Sequence, residues 1–529
     1  MNIFKWNYSI FLNKFQTLSI KMLGASILYF SFKIANRKNS LNLLESKYNY
    51  SHLPTYNRKD VSQHYNYETR IWVIFRDGVY DVTDFVNVHP GGSDKILMAA
   101  GCYLDVFWAM YSFHLTSDFV FEILHKYRIG NLNANDVLKE SEIPNFSKLK
   151  KETANDRSKK LIKHHSFPYC AESPQSQLIN HFYTPNDLFF VRNHNSIPEE
   201  VNLEDYKLEI ELPNSDEHFE YNFIDLLNNI KSTKKSTLLA CSGLRRKHFG
   251  PTVKGIHWKS GAIGNGIWEG ISIKDLFSYI GINFKNEEIE NLHFLCYGLD
   301  KDFQGENYNV SIPLKEALEQ GILANRYNHE NIPFDHGYPV RFIIPGFIGV
   351  RNVKWLKKIK ISNQEAQGSF QQKDYKIFPS NTDISKVDLS KINPVMTWEV
   401  SSSICSPDEE IEIDHKDKIL NLKGWAFGTK GNEIFKIELS FDNGISWIQI
   451  PNKDLRFDTN DDGKVFGWTT WKYKICEEEL KQHIIKGNLN TWVRATDLKG
   501  NTQPNSSEEI INFRGLMNNS IHKVNFKFI

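Results

Sequence analysis

The spacing of hydrophobic and polar positions changes several times along the chain. In an early block, apolar runs at 71–75 and 79–82 flank an Asp-Gly dipeptide at 77–78, and this pattern predicts a β-hairpin with a tight turn. Two short stretches at about 93–100 and 105–111 follow with the longer period of helices. The block therefore predicts a small α+β domain.

The remaining pattern divides into a mixed part and an all-β part. Up to about residue 375, strand and helix patterns mix with glycine-rich loops such as 261–266, which is typical of an α+β domain. Beyond Pro394 strand patterns dominate. The segments 436–441 and 445–450 predict a hairpin, and 491–495 predicts another short strand. We expect an immunoglobulin-like β-sandwich in this last part.

Two segments show neither the period of a strand nor that of a helix. Residues 1–44 contain six bases and no acid among apolar residues, which is typical of an organellar targeting leader, although a basic tail or an amphipathic surface helix is the alternative reading. Their longest uncharged run, 22–32, is too short for a membrane-spanning helix, which needs about 20 residues. Residues 148–164 carry seven bases against two acids, which favours a solvated linker.

These changes predict the order of domains. We expect a targeting leader over 1–55, a first domain over 56–133, a flexible linker over 134–174, a second domain over 175–376 and a third over 394–529.

Composition adds mainly exclusions. The chain has 529 residues, of which 40% are hydrophobic and 24% charged, and this is ordinary for a multidomain globular protein. A net charge of +1 provides no global field for nucleic acid, so no nucleic-acid partner is expected. The six cysteines contain no CxxC pair, which argues against a disulfide scaffold and a zinc ribbon.

The first chemical signal is a pair of histidines. His89 begins a His-Pro-Gly-Gly sequence, and His114 follows beyond two short helical stretches. The candidate apolar walls are Leu97, Phe107, Trp108 and Phe113. A bis-histidine haem needs two imidazoles from opposite sides of a slot, and its filled axial positions favour electron transfer. The motif alone also fits a surface turn.

With the preceding segment 81–85 and the hairpin, this block closely resembles the cytochrome b5 family. The resemblance implies an α+β haem domain in which His89 and His114 are the metal ligands of haem b.

The second signal is a cysteine in a basic loop. Cys241 stands where the predicted strand 236–240 opens into a loop with Arg245 and Arg246. Neighbouring arginines favour the thiolate, the form that is both a nucleophile and a soft-metal ligand. An inert buried cysteine is the alternative.

Two further stretches favour a metal-ligand role for Cys241 over an inert buried cysteine. These are residues 183–194, and residues 334–341 with their continuation 351–356. Together with the Cys241 loop, they resemble the sulfite oxidase family of molybdenum-cofactor enzymes. The resemblance covers nearly the whole chain after the leader, and it implies an α+β molybdopterin domain followed by a dimerisation domain.

The resemblance also assigns residues. It makes Cys241 the thiolate ligand of molybdenum and places Arg192, Arg246 and Trp258 around an oxyanion pocket. The implied pterin-binding residues are Phe190, Val191, Arg192, Asn193, His194, Asp300, His336, Arg341, Asn352, Val353 and Lys354. A cofactor with a phosphate tail and ring heteroatoms needs such cations and polar groups.

Two positions depart from the family. Asn325 stands where the family has a tyrosine, so Tyr327 is a candidate catalytic residue only if a loop shift brings it into that place. Thr469 stands where the animal enzymes have a pocket arginine. Each lost charged hydrogen bond to a bound dianion costs about 1.5–3 kcal/mol, which predicts weaker sulfite binding or another oxyanion.

The activity implied by the resemblance is the two-electron oxidation of sulfite to sulfate at molybdenum, with one-electron transfer through the haem to cytochrome c. It further implies a homodimer in the mitochondrial intermembrane space, without a stable membrane span in the mature protein. Two alternatives stay open. One is a nitrate-reductase-like molybdoenzyme, although such chains usually place the haem domain after the molybdenum domain and add a flavin domain. The other is a haem electron-transfer protein with a catalytically impaired molybdenum domain, which Asn325 and Thr469 suggest.

Overall fold

The structure is a computed structural model of the chain. It describes residues 50–89, 96–110, 118–139, 157–166, 168–213, 218–250, 253, 255–285, 289–302, 305–379, 382, 387–409, 411–414 and 419–529. Most of the expected leader, His114 and the start of the helix expected at 93–100 lie outside the described residues. The chain divides into two units, residues 1–149 and 150–529, and each is described by itself.

The first unit is built on a mixed sheet with the strand order β1-β5-β4-β3-β2. Its strands are β1 (Thr55–Tyr56), β2 (Tyr65–Asn66), β3 (Arg70–Phe75), β4 (Gly78–Asp81) and β5 (Arg128–Leu132), and its helices span Arg58–Ser62, Leu104–Met110 and Asp118–His125. The predicted hairpin is confirmed, since β3 and β4 pair antiparallel with Val73 opposite Tyr80.

Both faces of this sheet are covered. Ile71, Val73 and Phe75 project into one hydrophobic cluster with Trp108, while Ile74 belongs to a separate cluster. Because β3 is buried on both faces, nearly every one of its positions is apolar, and it lacks the simple alternation of a half-exposed strand. The α+β class expected for this block is confirmed.

The second unit begins with a mixed α+β part, as the sequence predicted. Its strands are β6 (Ile162–Ser166), β7 (Tyr169–Glu172), β8 (Val191–Arg192), β9 (Lys207–Glu211), β10 (His218–Asn222), β11 (Thr233–Ala240), β12 (Ile263–Ser272), β13 (His293–Lys301), β14 (Asn307–Pro313), β15 (Ile322–Tyr327), β16 (Glu330–Asn331), β17 (Arg341–Ile343) and β18 (Leu356–Ser362). Its helices span Phe223–Asn229, Ile273–Tyr279 and Leu314–Gln320, with single turns at Gln175–Leu178 and Ser369–Gln372.

These strands form three sheets. One has the order β10-β9-β18-β13-β14, another has the order β11-β12-β15-β16 with β17 on β15, and a small one has the order β6-β7-β8. The sheets share one large hydrophobic cluster, which includes the rings of Phe189, Trp258 and Trp268. The loops at the strand ends carry the polar residues described below.

Residues 140–156 of the flexible linker expected over 134–174 lie outside the described residues, and for the described residues from 157 on this expectation is wrong. β6 and β7 pair within this segment. Arg157 donates two hydrogen bonds to Asp335, and Lys160 pairs with Asp187. The basic run therefore pairs with acids from distant parts of the chain, which a count of charges along the sequence does not reveal.

The carboxy-terminal part is all-β, as expected. Its strands are β19 (Ser401–Ser406), β20 (Glu412–Ile413), β21 (Ile419–Phe427), β22 (Ile434–Ser440), β23 (Ile448–Gln449), β24 (Leu455–Arg456), β25 (Thr469–Cys476), β26 (Asn488–Asp497) and β27 (His522–Phe528), with a helix at Glu477–His483. The sheets β19-β21-β25-β24 and β20-β27-β26-β22-β23 share one core, so they form a sandwich. Its immunoglobulin-like topology stays a prediction.

The predicted carboxy-terminal hairpin is confirmed with a longer connection. β22 pairs with β23, placing Glu438 opposite Gln449, but β23 is only two residues long. Within the described part of the chain, no helix is long and apolar enough to cross a membrane.

Candidate functional site

The Cys241 turn forms one wall of a cavity in the second unit. β11 ends at Ala240, and the Cys241 amide then donates to the Ala262 carbonyl at 3.0 Å. The Arg245 amide donates to the Lys259 carbonyl at 2.9 Å, and the Lys247 amide donates to the Trp258 carbonyl at 3.1 Å. The turn is therefore held as an extension of the β11/β12 pair, with Cys241 at its start.

The cavity encloses about 650 Å³ together with its open mouth. It brings together residues that lie far apart in the sequence and were expected to act together. The predicted residues that line it are Phe190, Arg192, His194, Cys241, Asp300, His336, Arg341, Asn352, Val353 and Lys354.

Four other predicted residues lie beside this wall. Val191 is buried in β8, and the Asn193 side chain accepts a hydrogen bond from the Lys354 ammonium. Arg246 lies behind the Cys241 turn, where its guanidinium donates to the carbonyls of Gly515 at 2.9 Å and Ile256 at 3.0 Å. Trp258 is fully buried in the same turn region.

Tyr327 does not reach the cavity, which contradicts its candidate catalytic role. Its hydroxyl lies 2.7 Å from the Thr184 carbonyl oxygen and 3.0 Å from that of Asn265. A β-bulge leaves Asn325 without a partner between the pairs that β15 forms with β12. The ring packs over Gly266, where an added Cβ would lie 2.2 Å from it. Tyr327 is therefore a core residue.

Several cavity residues were missed by sequence reasoning. They are Phe189, Ser242, Tyr308, Asp335, Gly349, Val350, Trp355 and Tyr375. Most are neighbours of predicted positions, so proximity in sequence was an available signal. Tyr375 belongs to no motif and follows the helical turn Ser369–Gln372, yet its hydroxyl lies 2.5 Å from His194 Nε2.

Burial shifts the pKa values of the charged groups in the cavity. It lowers the pKa of Arg341 to about 9 and that of Lys354 to about 7, and it raises the pKa of Asp300 to about 7. Burial also acts on Arg192, but the neighbouring Cys170, Tyr375 and Cys241 outweigh it and raise the Arg192 pKa. Cations converging in a poorly solvated space favour an anionic ligand.

The expected preference of Cys241 for the thiolate is overturned by burial. Desolvation raises the pKa of this thiol, although Arg192 and Arg246 act in the opposite direction. Arg245 does not contribute, because its guanidinium donates to the carbonyls of Ser402 and Ser520. A soft metal bound at sulfur would favour the deprotonated form.

The donors around the cavity fit a molybdopterin. Within the described chain, the buried atoms Asn193 Nδ2, Ser242 Oγ and Trp258 Nε1 have no hydrogen-bond partner. Buried polar groups are normally paired, so the Ser242 hydroxyl in the cavity wall indicates a polar ligand. Cys241 offers a soft ligand atom in the same wall, and Arg341 and Lys354 offer charge for a phosphate.

In the first unit, His89 follows the short helical turn Val86–Val88. Its ring centroid lies 5.8 Å from that of Phe85. Of the expected apolar walls, Leu97, Phe107 and Trp108 belong to one hydrophobic cluster, and Phe113 lies outside the described residues. This environment fits one side of a haem slot, and the second expected ligand, His114, lies outside the described residues.

A further cluster of possible metal ligands lies where the Cys241 loop meets β27. His248 Nε2 is 3.1 Å from Glu409 Oε2, and His522 Nε2 is 3.4 Å from both His248 Nε2 and Glu409 Oε1. The Ile404 amide donates to His522 Nδ1 at 3.0 Å, so the neutral His522 ring carries its proton on Nε2. A histidine that binds a metal through Nε2 carries its proton on Nδ1 instead. The cluster is therefore a hydrogen-bonded junction.

Three family models match the chain. The cytochrome b5-like heme/steroid binding domain matches residues 57–133, the oxidoreductase molybdopterin binding domain matches 194–370, and the Mo-co oxidoreductase dimerisation domain matches 393–528.

Individual proteins are similar over most of the chain. Mitochondrial sulfite oxidase of Drosophila melanogaster is 38% identical over 90% of this chain and 81% of that protein. Sulfite oxidase of Gallus gallus is 33% identical over 89% and 99%. The structure of sulfane dehydrogenase SoxCD from Paracoccus pantotrophus aligns with a TM-score of 0.55 and 21% identity, covering 68% of this chain and 84% of that one, which supports the fold.

Proposed function

Because the chain belongs to the sulfite oxidase family of molybdenum-cofactor oxidoreductases, we propose that it oxidises sulfite to sulfate and passes the electrons through a b-type haem to cytochrome c. The observation that carries this proposal is the convergence of Cys241 and Arg192 on one buried, cation-rich cavity. The order of the domains, with the haem domain first, argues against the nitrate-reductase-like alternative.

The proposed cofactor site follows from the cavity wall. Cys241 is the proposed ligand of molybdenum. Arg341 and Lys354 neutralise the phosphate, and His194, Asp300 and His336 offer polar atoms to the pterin edge. Phe190, Val191, Asn193, Asn352 and Val353 complete the proposed binding segments. When bound, the molybdenum supplies two-electron redox chemistry and the haem, for which His89 and His114 are the proposed ligands, relays single electrons.

Substrate recognition is assigned to arginines. Nη1 of Arg192 donates to the Cys170 sulfur, at 3.5 Å, and to the Asn193 carbonyl, which fixes the guanidinium while Nε and Nη2 offer donors to an anion. Arg246 is fixed by two backbone carbonyls, and Trp258 packs within the same turn. A dianion held by fixed guanidinium groups is oriented without further ordering of side chains.

The dimerisation domain indicates a homodimer. Relatives named as mitochondrial indicate a mitochondrial protein. We place it in the intermembrane space because the proposed acceptor, cytochrome c, resides there.

One experiment on the purified full chain tests the function. Molybdenum and haem contents are measured first, and then sulfite is added while the haem absorption bands are followed. We expect both cofactors and haem reduction by sulfite. Haem without molybdenum would support the electron-carrier alternative, and nitrate consumption by the reduced protein would support the nitrate-reductase alternative.

The variant Cys241→Ser tests the proposed ligand. It should lose sulfite-dependent haem reduction and keep the haem spectrum, because the thiolate is replaced while the first unit is untouched. Cys476→Ser is the matched control, since that cysteine is exposed on the β-sandwich. Sulfite-dependent reduction retained in Cys241→Ser would refute the assignment.

A further inference from the structure

Tyr375 is placed at the cavity wall by backbone pairing. Its carbonyl accepts a hydrogen bond of 2.8 Å from the Val395 amide, which fixes the segment that follows the helical turn Ser369–Gln372. Its ring lies in the same wall as Arg192 and Cys241 and is only 7% exposed. The phenol therefore adjoins the proposed anion-binding groups with little competition from water.

The hydroxyl of Tyr375 can donate into the cavity. Its partner is His194 Nε2, at 2.5 Å, and burial together with Arg192 and Lys354 holds the His194 pKa well below its usual value. The neutral imidazole carries one proton, which can lie on Nε2. With an anion in the cavity, Nε2–H donates to the phenol oxygen and the phenol proton is free to turn toward the anion, because an anion accepts hydrogen bonds and donates none.

The other nearby tyrosine hydroxyls are already used. Tyr308 lines the same cavity, but its hydroxyl donates to the Val350 carbonyl at 2.8 Å. Tyr327 is directed to backbone carbonyls outside the cavity. Among the described residues of the wall, Tyr375 is thus the tyrosine whose hydroxyl has an imidazole rather than a backbone carbonyl as its partner.

We propose that Tyr375 is a specificity-determining residue, whose hydroxyl donates a hydrogen bond to the oxyanion held by Arg192, while His194 orients that hydroxyl. This inference rests on the proposed function and deepens it. Burial raises the pKa of Tyr375, so the group stays a donor at neutral pH. A neutral donor suits sulfite and sulfate, whose oxygens are acceptors throughout the reaction.

The test is Tyr375→Phe in the full-length holoenzyme. We expect the KM for sulfite and the dissociation constant for sulfate, measured by titration calorimetry, to rise about tenfold to a hundredfold, because a hydrogen bond to a charged group is lost. The value of kcat should change less than KM, and molybdenum and haem contents should stay unchanged. Tyr206→Phe, at a buried tyrosine that does not line the cavity, is the matched control and should leave sulfate binding unchanged.

The outcomes separate the two proposals. Unchanged sulfate affinity and KM in Tyr375→Phe, or loss of molybdenum from it, would overturn the role of Tyr375. If the wild-type protein binds sulfate in a Tyr375-dependent way but sulfite does not reduce its haem, the proposed function fails while the assignment of Tyr375 stands.

Discussion

Tyr327 and Tyr375 show that the contacts of a side chain, rather than its type or its position in a motif, determine what it does. Both are tyrosines near the Cys241 region, and both are almost fully buried. The hydroxyl of Tyr327 is directed to backbone carbonyls, whereas that of Tyr375 meets a histidine in the cavity wall. One is therefore a packing residue, and for the other we infer a part in substrate binding.

Tyr327→Phe tests the packing role. The Thr184 and Asn265 carbonyls keep other donors, Asn328 Nδ2 at 3.0 Å and the Thr184 amide at 2.7 Å. Removing the hydroxyl therefore costs only its own hydrogen bonding, and we expect a loss of about 0.5–1.5 kcal/mol in the free energy of unfolding. The KM for sulfite should not change. Urea unfolding and steady-state kinetics measure the two quantities. A raised KM with unchanged stability would return Tyr327 to the substrate pocket.

Cys241 also depends on its surroundings at this scale. Two arginines act to lower its pKa, but desolvation has the larger effect. A sequence shows which charges lie nearby and not how much water is removed.

At the scale of elements, Glu172 at the end of β7 connects three pieces of chain. Its carboxylate accepts hydrogen bonds from the Lys259 amide at 3.0 Å, the Gly261 amide at 3.2 Å and the His164 ring at 2.7 Å. The His164 ring also packs edge-on against Trp258. One buried carboxylate therefore fixes β6 and the loop that carries Trp258.

Glu172→Gln tests this connection. The amide cannot accept all of these bonds, so at least one buried donor is left unpaired, at a cost of about 1–3 kcal/mol in stability. The KM for sulfite should rise as well, because the Trp258 loop loses its support. Glu220→Gln on the exposed edge of β10 is the control. If both variants melt at the wild-type temperature, the carboxylate does not hold the loop.

The junction of the Cys241 loop with β27 predicts a pH dependence of stability. Burial lowers the pKa of His522 to about 3 in the folded protein. The unfolded histidine takes up a proton near pH 6.5, so between about pH 3 and 6.5 the unfolded state binds more protons. Stability should therefore rise with pH across this window, by up to about 1.4 kcal/mol per pH unit, and level off above it.

Calorimetry of the second unit's transition from pH 5 to 7 measures this effect. His522→Asn keeps an acceptor for the Ile404 amide and removes the titrating ring, so its stability should depend less on pH than that of the wild type. The exposed His181 provides the control variant, His181→Asn. Equal pH dependence in wild type and His522→Asn would exclude His522 as the source.

At the scale of the whole molecule, the chain divides into two units at residue 149. The match to the cytochrome b5-like domain lies in the first unit, and the matches to the molybdopterin and dimerisation domains lie in the second. The proposed electron source and electron relay are therefore carried by separate units.

Removal of the first unit tests that division. A chain of residues 150–529 should bind molybdenum and oxidise sulfite with a small inorganic oxidant such as ferricyanide, since the cavity is formed within the second unit. It should no longer reduce cytochrome c. Undiminished cytochrome c reduction by the shortened chain would show that the haem is not the relay.

The sequence alone determined the classes of the domains, the hairpins and most of the cavity wall. These features depend on local patterns: the apolar runs on either side of the Asp-Gly turn between β3 and β4, the strand that runs into Cys241, and the compact motifs around His194 and Lys354 that carry the family resemblance. Each is encoded within a few residues, so a short stretch of chain is sufficient to reveal it.

The tertiary structure alone decided the rest. It paired Arg157 of the expected linker with Asp335, turned Tyr327 into the core through a bulge at Asn325, and brought Tyr375 to the cavity. At Cys241, burial also raises the pKa of the thiol more than the two neighbouring arginines lower it. These outcomes depend on contacts between distant segments and on the exclusion of water, and neither quantity is a property of a local stretch of sequence.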